Sequence, residues 1–362
     1  MPIVPVKYGF PLFTKHNSTD YLIKHDQIRV SDLWAFWQYI IGRYVKKYSG
    51  DRRFLQTLIE QSRYFYEAAE KAPIKSQPLL FYYSFLNLVK VVINVNALNI
   101  YGATVEYNHG VEPVGVVPKA KLKDIKVKVK SLMPSHPKPN QPLSVDYQFM
   151  RQMGDVFPSV MPYEISVDSM LKACIGIHRT YCETNNCKET FFKVDNLVLN
   201  TIGHNFLARY EVLKCDDALM AQLQAAGYIV VKEQDENGKD RYYWEESTYM
   251  LSTKPTKSDY YSLSFKMKGK GLWYFTDGNK YKKYVSTEPL HISTESIIYN
   301  LMFFFGSITR YHPYLFDEML TEQQMWIVSE FLKTQPKQFL YIVTSKTIES
   351  AILKPETANI LF

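Results

Sequence analysis

Four cysteines in 362 residues are too few for the bridge framework that staples small secreted domains, and they suit a reducing compartment. The first residues, Met1 to Phe13, hold Pro2, Pro5 and Pro11 and no apolar core, so no secretory leader is read there. Long uninterrupted apolar runs are missing too. The longest candidate, Leu79 to Leu98, contains Asn87, Lys90, Asn94 and Asn96, which are costly in lipid, and it reads as a buried helix. The stretch Ile297 to Ile308 is too short to span a bilayer. A cytoplasmic protein with no membrane partner is expected. The chain also has no G-x-x-x-x-G-K-[ST] loop, no G-x-G-x-x-G, no H-E-x-x-H and no G-x-S-x-G. Gly269 and Gly271 fall among residues read as strands, with no following helix to receive a phosphate. P-loop nucleotide hydrolysis, Rossmann redox chemistry and α/β-hydrolase chemistry therefore have no support, and no cofactor is expected.

Apolar residues and aromatics are plentiful. At 46% hydrophobic and 22% charged, the chain can bury a sizeable core, and its length suits two domains. The net charge of +7 is mild and local. It permits a phosphate-bearing or acidic partner without requiring one. The run Lys119 to Lys130 holds six of the lysines against one acid, Asp124.

Ser31 and Asp32 offer a helix start before an apolar stripe that ends near Gly50. A second helix follows over Arg52 to Lys71. Phe54, Leu55, Leu58, Ile59, Ser62, Phe65 and Ala69 share one of its faces, and Pro73 ends it. A third, Ser76 to Ala97, is apolar nearly all round, with Pro78 tolerated in its first turn. From Tyr101 onward the prolines at 113, 118, 134, 137, 139 and 142 mark a change of texture. Lys123 to Lys130 alternates charged and apolar residues like a strand, its lysines resembling edge protection. A helix is expected over Ser166 to Cys182, strands over Phe191 to Leu213, and a helix over Asp216 to Ala226. Tight hairpins are expected at Asn237-Gly238 and Asp277-Gly278, and a strand over Tyr260 to Lys268. Helices return from Ser293 to Thr309, Thr321 to Thr334 and Pro336 to Leu353. The expectation is an α+β fold: a discontinuous helical bundle formed by the N- and C-terminal helices (1–100 plus 290–362), with an inserted α+β lobe (101–289).

Two blocks carry a family resemblance. One is Ser62 to Ile93, a helix, a proline-bounded turn, then PLL-x-YY-x-x-x-NL-x-K. The other is Tyr299 to Phe316, with its Arg-Tyr-x-Pro signature, followed by an amphipathic helix and Pro336. Together they resemble the YaaC-like family of bacterial proteins over roughly a third of the chain. The helical core that this implies is similar to HEPN-type domains, common in bacterial RNA-cleaving toxins and antiviral systems. The typical HEPN ribonuclease pattern sets an arginine and a histidine several residues apart. Arg310 and His312 are separated by one residue, a departure from it.

The residues themselves offer three sites. Tyr83, Asn87, Lys90 and Asn94 recur four, three and four apart, a polar seam on a buried helix. A lysine there needs a partner, for which Glu67 or Glu295 is available. With Arg63, Glu67, Arg310 and His312 the seam reads either as a register-fixing network or as a catalytic cleft. In the cleft Lys90 and Arg310 would hold a phosphate and His312 would move a proton. Second, Cys174, His178, Cys182 and Cys187 recur on one helical face, but they span too far for a single ion, and no metal is expected. Third, Lys121, Lys123, Lys126, Lys128 and Lys130, with Lys268, Lys270 and Lys282 and neighbouring aromatics, read as a nucleic-acid grip or as a solvated face. The functional expectation is an intracellular bacterial protein that engages RNA or another single-stranded nucleic acid, as an RNA-directed effector of stress or anti-phage defence. The alternative is a non-catalytic scaffold that binds a protein partner through aromatic surfaces.

Overall fold

Asp32 begins the helical part of the molecule by accepting hydrogen bonds from the backbone N–H groups of Trp34 and Ala35, each at 3.0 Å, which caps the helix Leu33–Tyr44. In this computed structural model the described residues are 27–45, 50–96, 105–117, 119–130, 143–155, 162–277, 280–348 and 350–355. The prolines at 2, 5, 11, 118, 134, 137, 139 and 142, and Gly278 of the second expected turn, lie outside them. The fold is α+β, as the sequence indicates, and it divides into two compact units.

The helical unit comprises residues 31–188 and 292–347. Its centre is the helix Gln77–Asn96, in which Phe85, Leu88, Val89, Val91, Val92 and Ile93 are fully buried. Gly50–Lys71 lies against it, with the Ser62 hydroxyl donating to the Ser84 carbonyl at 2.7 Å. Thr294–Tyr311 and Glu322–Ile348 cover other sides of it. Phe85 stacks on Phe339 at 4.0 Å between ring centroids, and Tyr82 meets Phe303 edge-on at 5.3 Å. The Trp37 indole donates to the Thr344 hydroxyl at 2.9 Å. Helices from the start and the finish of the chain thus share one core. By length and composition Gln77–Val95 would cross a membrane, and most of it is buried by neighbouring parts of the protein.

Segments expected in the insert join this helical core. In the helix Val145–Met153, Phe149 is fully buried, 5.2 Å from Tyr299 and 5.8 Å from Phe339. The compact unit therefore runs to residue 188, where the sequence reading ends the helical domain near residue 100. Lys126–Val129 is a strand, but it is the middle strand of three, antiparallel to Val111–Val114 and to Tyr163–Ser166. Its Val127 and Val129 are buried, so the alternation marks a half-buried central strand and not an edge.

The second unit comprises residues 1–30, 189–291 and 348–362. Its six-stranded antiparallel sheet runs in the order Trp273–Asp277, Lys280–Ser286, Phe191–Ile202, Asn205–Val212, Asp240–Tyr249, Ile229–Gln234. The Asn237-Gly238 turn is not the two-residue type expected. The Gly238 N–H bonds the Asp235 carbonyl and the Asp235 N–H bonds the Lys239 carbonyl, a turn closed by Gly238 at φ +74°. Asp235 also accepts from the N–H groups of Asn237 and Lys239, which favours the longer loop.

The expected strand over Tyr260 to Lys268 is instead part of the helix Lys257–Gly269. Thr256 and Asp259 form a capping box at its start. Tyr260, Tyr261, Leu263, Ser264 and Met267 are its buried residues, a helical period that the local aromatics disguise. The expected helix over Ser166 to Cys182 breaks into Val167–Ala173 and His178–Asn185. Glu322–Ile348 runs through Pro336 without ending there, and its expected last residues form the strand Ala351–Leu353, which pairs in parallel with Gln27–Arg29.

Candidate functional site

The polar seam of Gln77–Asn96 keeps its spacing and finds its partners on several elements. Asn87 donates to Gln61 Oε1 at 3.4 Å. Asn94 donates to the Tyr107 hydroxyl at 2.9 Å and to the Lys90 carbonyl at 2.7 Å. Tyr83 accepts from Arg310 Nη1 at 2.5 Å. Lys90 Nζ sits over the Tyr107 ring, 5.3 Å from its centroid. Arg310, in the last turn of Thr294–Tyr311, has its guanidinium carbon 5.0 Å from the Tyr311 ring centroid.

Near both cations is His109, which the sequence reading passed over. It lies on irregular chain just after the two-residue strand Tyr107–Asn108, where no periodicity marks it. Its ring lies beside Tyr82 (5.6 Å) and Phe303 (6.5 Å), so the imidazole is partly covered while the residue keeps an exposed edge. Its Nδ1 is 2.5 Å from the Tyr82 hydroxyl. Burial, then the nearby charges of Lys90 and Arg310, hold its pKa below the usual imidazole value. Burial also pushes the Tyr82 hydroxyl far up, so it remains protonated, and lowers the pKa of Lys90. Among the described residues neither Lys90 nor Arg310 has a carboxylate at ion-pair distance.

Below this corner the core holds acids. Asp146, fully buried, accepts from Asn300 Nδ2 at 3.2 Å. Burial, with a contribution from the charge of Asp155, pushes its pKa up to about 8. Asp155 is raised to about 6, again chiefly by burial, while accepting from the Ser293 N–H at 2.6 Å and the Ser296 hydroxyl at 2.5 Å. Asp155 thereby helps to cap the helix that carries Arg310.

Other expected members do not join. Arg63 and Glu67 pair with each other at 2.6 Å on the exposed face of Gly50–Lys71, and Glu295 pairs with buried Lys346, so neither acid meets Lys90. His312 is two residues beyond Arg310, a separation that does not share a helix face, and its backbone N–H closes the helix on the Ile308 carbonyl at 2.9 Å.

The lysine strand is largely neutralised. Lys126 pairs with Glu164 at 3.0 Å, and Lys128 and Lys130 both pair with Glu112 on the facing strand. Lys121 and Lys123 are exposed and have no ion pair among the described residues. Lys268, Lys270 and Lys282 belong to the sheet-containing unit, where Lys282 pairs with Asp277. The expected lysine set is therefore divided between two units. His178 Nδ1 donates to the Lys172 carbonyl at 2.6 Å, and its Nε2 is 3.5 Å from Cys182 Sγ. Among the described residues no group of three or more His, Cys, Asp or Glu is placed to hold a metal ion.

The YaaC-like protein family profile matches residues 24–347, most of the chain, and the protein belongs to that family. No curated protein and no solved structure matches it.

Proposed function

We propose that this is an intracellular bacterial protein that engages nucleic acid, RNA foremost, and that the corner formed by Lys90, His109 and Arg310 is its phosphate contact. One observation carries the reading: two cations stand beside an imidazole, with no carboxylate to neutralise them among the described residues. Other cations of the helical unit, such as Arg63, Lys75, Lys126 and Lys130, have acids. Leaving a partly buried lysine without a counter-charge is unfavourable, and an incoming phosphate relieves it. Burial keeps Asp146 protonated near neutral pH, so it does not screen the cations from below. Tyr83, Tyr107 and Tyr311 supply rings beside the charges, the pairing that suits single strands. A HEPN-like helical core, the reading drawn from the two sequence blocks, would set the protein in stress or anti-phage defence.

A non-catalytic scaffold is the second reading. It is favoured by Tyr311, Tyr314 and Trp326, which are 62%, 59% and 49% exposed. Binding of a fluorescent oligoribonucleotide with hydroxyl ends, measured against salt, separates the two. Under the nucleic-acid reading, Lys90→Ala and Arg310→Ala each weaken binding and each reduce the log–log salt slope by about 0.7. Folded variants that bind RNA as the parent does, or a parent that binds none, would overturn it in favour of the scaffold.

A further inference from the structure

We infer that the Lys90–His109–Arg310 corner is built for a phosphate monoester, such as the phosphorylated end of a strand, in preference to an internal phosphodiester. The inference rests on the phosphate-contact reading above and narrows its ligand. An internal diester carries one negative charge, which either cation could match alone. A terminal phosphate carries close to two at neutral pH, with a second pKa near 6, and it presents three acceptor oxygens. The corner offers that anion two fixed charges and a third, titratable donor.

The third donor is His109. Its Nδ1 is engaged by Tyr82, which orients the ring, while Nε2 has no hydrogen-bond partner among the described residues. The groups around the imidazole are Tyr82 and Lys90 on Gln77–Asn96, Phe303 and Arg310 on Thr294–Tyr311, and Tyr107 two residues earlier in its own segment, while Val145–Met153 meets the His109 carbonyl through the Asp146 N–H. None of the side chains named on the first two helices or at Tyr107 is anionic. The nearest buried acid, Asp146, is held in its neutral form at pH 7. Empty, the corner therefore resists a third positive charge. A bound dianion reverses that balance, because attraction to the phosphate favours the imidazolium and adds a charge-assisted hydrogen bond from Nε2. Binding of a monoester should thus take up a proton, whereas binding of a diester should not.

The experiment compares one oligoribonucleotide with a 5′ phosphate, with a 3′ phosphate and with hydroxyl ends, together with a 5′ mononucleotide and inorganic phosphate. Titration calorimetry at pH 7 in two buffers of different ionisation enthalpy reads affinity and proton uptake together. The expected result is about tenfold tighter binding of a phosphorylated end than of hydroxyl ends, with net proton uptake only for the phosphorylated probes. His109→Gln should remove the proton uptake and most of the advantage of a phosphorylated end. Equal binding of phosphorylated and hydroxyl-ended strands would overturn this inference and leave the nucleic-acid reading standing. Tight, proton-linked binding of the mononucleotide without any strand binding would support the monoester and overturn the nucleic-acid reading. No binding of any probe would overturn both. The comparison of probes on the parent protein does not depend on any variant folding.

Discussion

At the residue scale, Asp146 makes the sharpest prediction. Its carboxyl is protonated in the folded protein up to about pH 8 and ionised in the unfolded chain above about pH 4. Between those values the folded state binds more protons, so this residue's contribution to stability falls as pH rises through that window. Asp155, raised to about 6, acts in the same direction over a narrower range. Asp146→Asn keeps an acceptor for Asn300 and removes the titration. Melting curves should show the variant gaining on the parent as pH rises from 5 to 8, and a constant difference across that range would refute the assignment. Phe85 tests packing. It is fully buried and stacked on Phe339, and Phe85→Ala should cost about 3–5 kcal/mol in urea unfolding. Lys90 and Arg310 were legible in the sequence because a charge on an apolar helix and an arginine before a proline stop both stand out. His109 was not, because the short strands and turns around it carry no period. Its position is set by Tyr82 and Phe303, which come from two separate helices.

At the element scale, Gly306 sets how closely two helices approach. A Cβ there would lie 3.0 Å from the Tyr82 Cβ and 3.3 Å from the Pro78 carbonyl. Gly306→Val should therefore cost about 1–3 kcal/mol by overpacking. Under the proposed phosphate-contact reading it should also weaken RNA binding, since Arg310 is one turn further along the same helix and Tyr82 contacts His109. A variant that melts lower but binds unchanged would show that the corner tolerates a shift of the helix. At the other end of the chain, Asp32→Ala removes both cap bonds of Leu33–Tyr44 and should cost about 1 kcal/mol. Elements with a clean apolar stripe or an acidic cap, such as Gly50–Lys71 and Asp217–Ala225 behind Asp216, were readable from sequence. Lys257–Gly269 was not, because consecutive tyrosines suggest a strand while the burial period is helical. Pro336 misled in the opposite sense. It lies in a helix packed through Phe331, Phe339 and Ile342, where tertiary burial outweighs one missing backbone bond.

At the scale of the whole molecule, the discontinuous character was legible and its boundaries were not. Apolar helices at both ends of the sequence each needed cover, and they supply it to one another. The boundary moved because Phe149 and Asp146 commit their segment to the helical core through contacts distant in sequence. The sheet-containing unit gathers three separate stretches of chain. Within it, fully buried Ile352 and Leu353 belong to the strand paired with Gln27–Arg29, and the Tyr281 hydroxyl donates to the Ile352 carbonyl at 3.2 Å. Truncation after residue 348 should therefore lower stability by several kcal/mol through lost burial, readable as a shifted denaturation midpoint.

That parallel pairing also has a consequence for synthesis. Gln27–Arg29 leaves the ribosome before its partner strand Ala351–Leu353, and both units' intervening segments are made between the two. The early strand must wait, with its backbone groups uncommitted, until all of that intervening chain has been made. A nascent chain of this kind is exposed to wrong pairings for longer than one whose neighbours follow at once, and chaperone supply would then govern its yield.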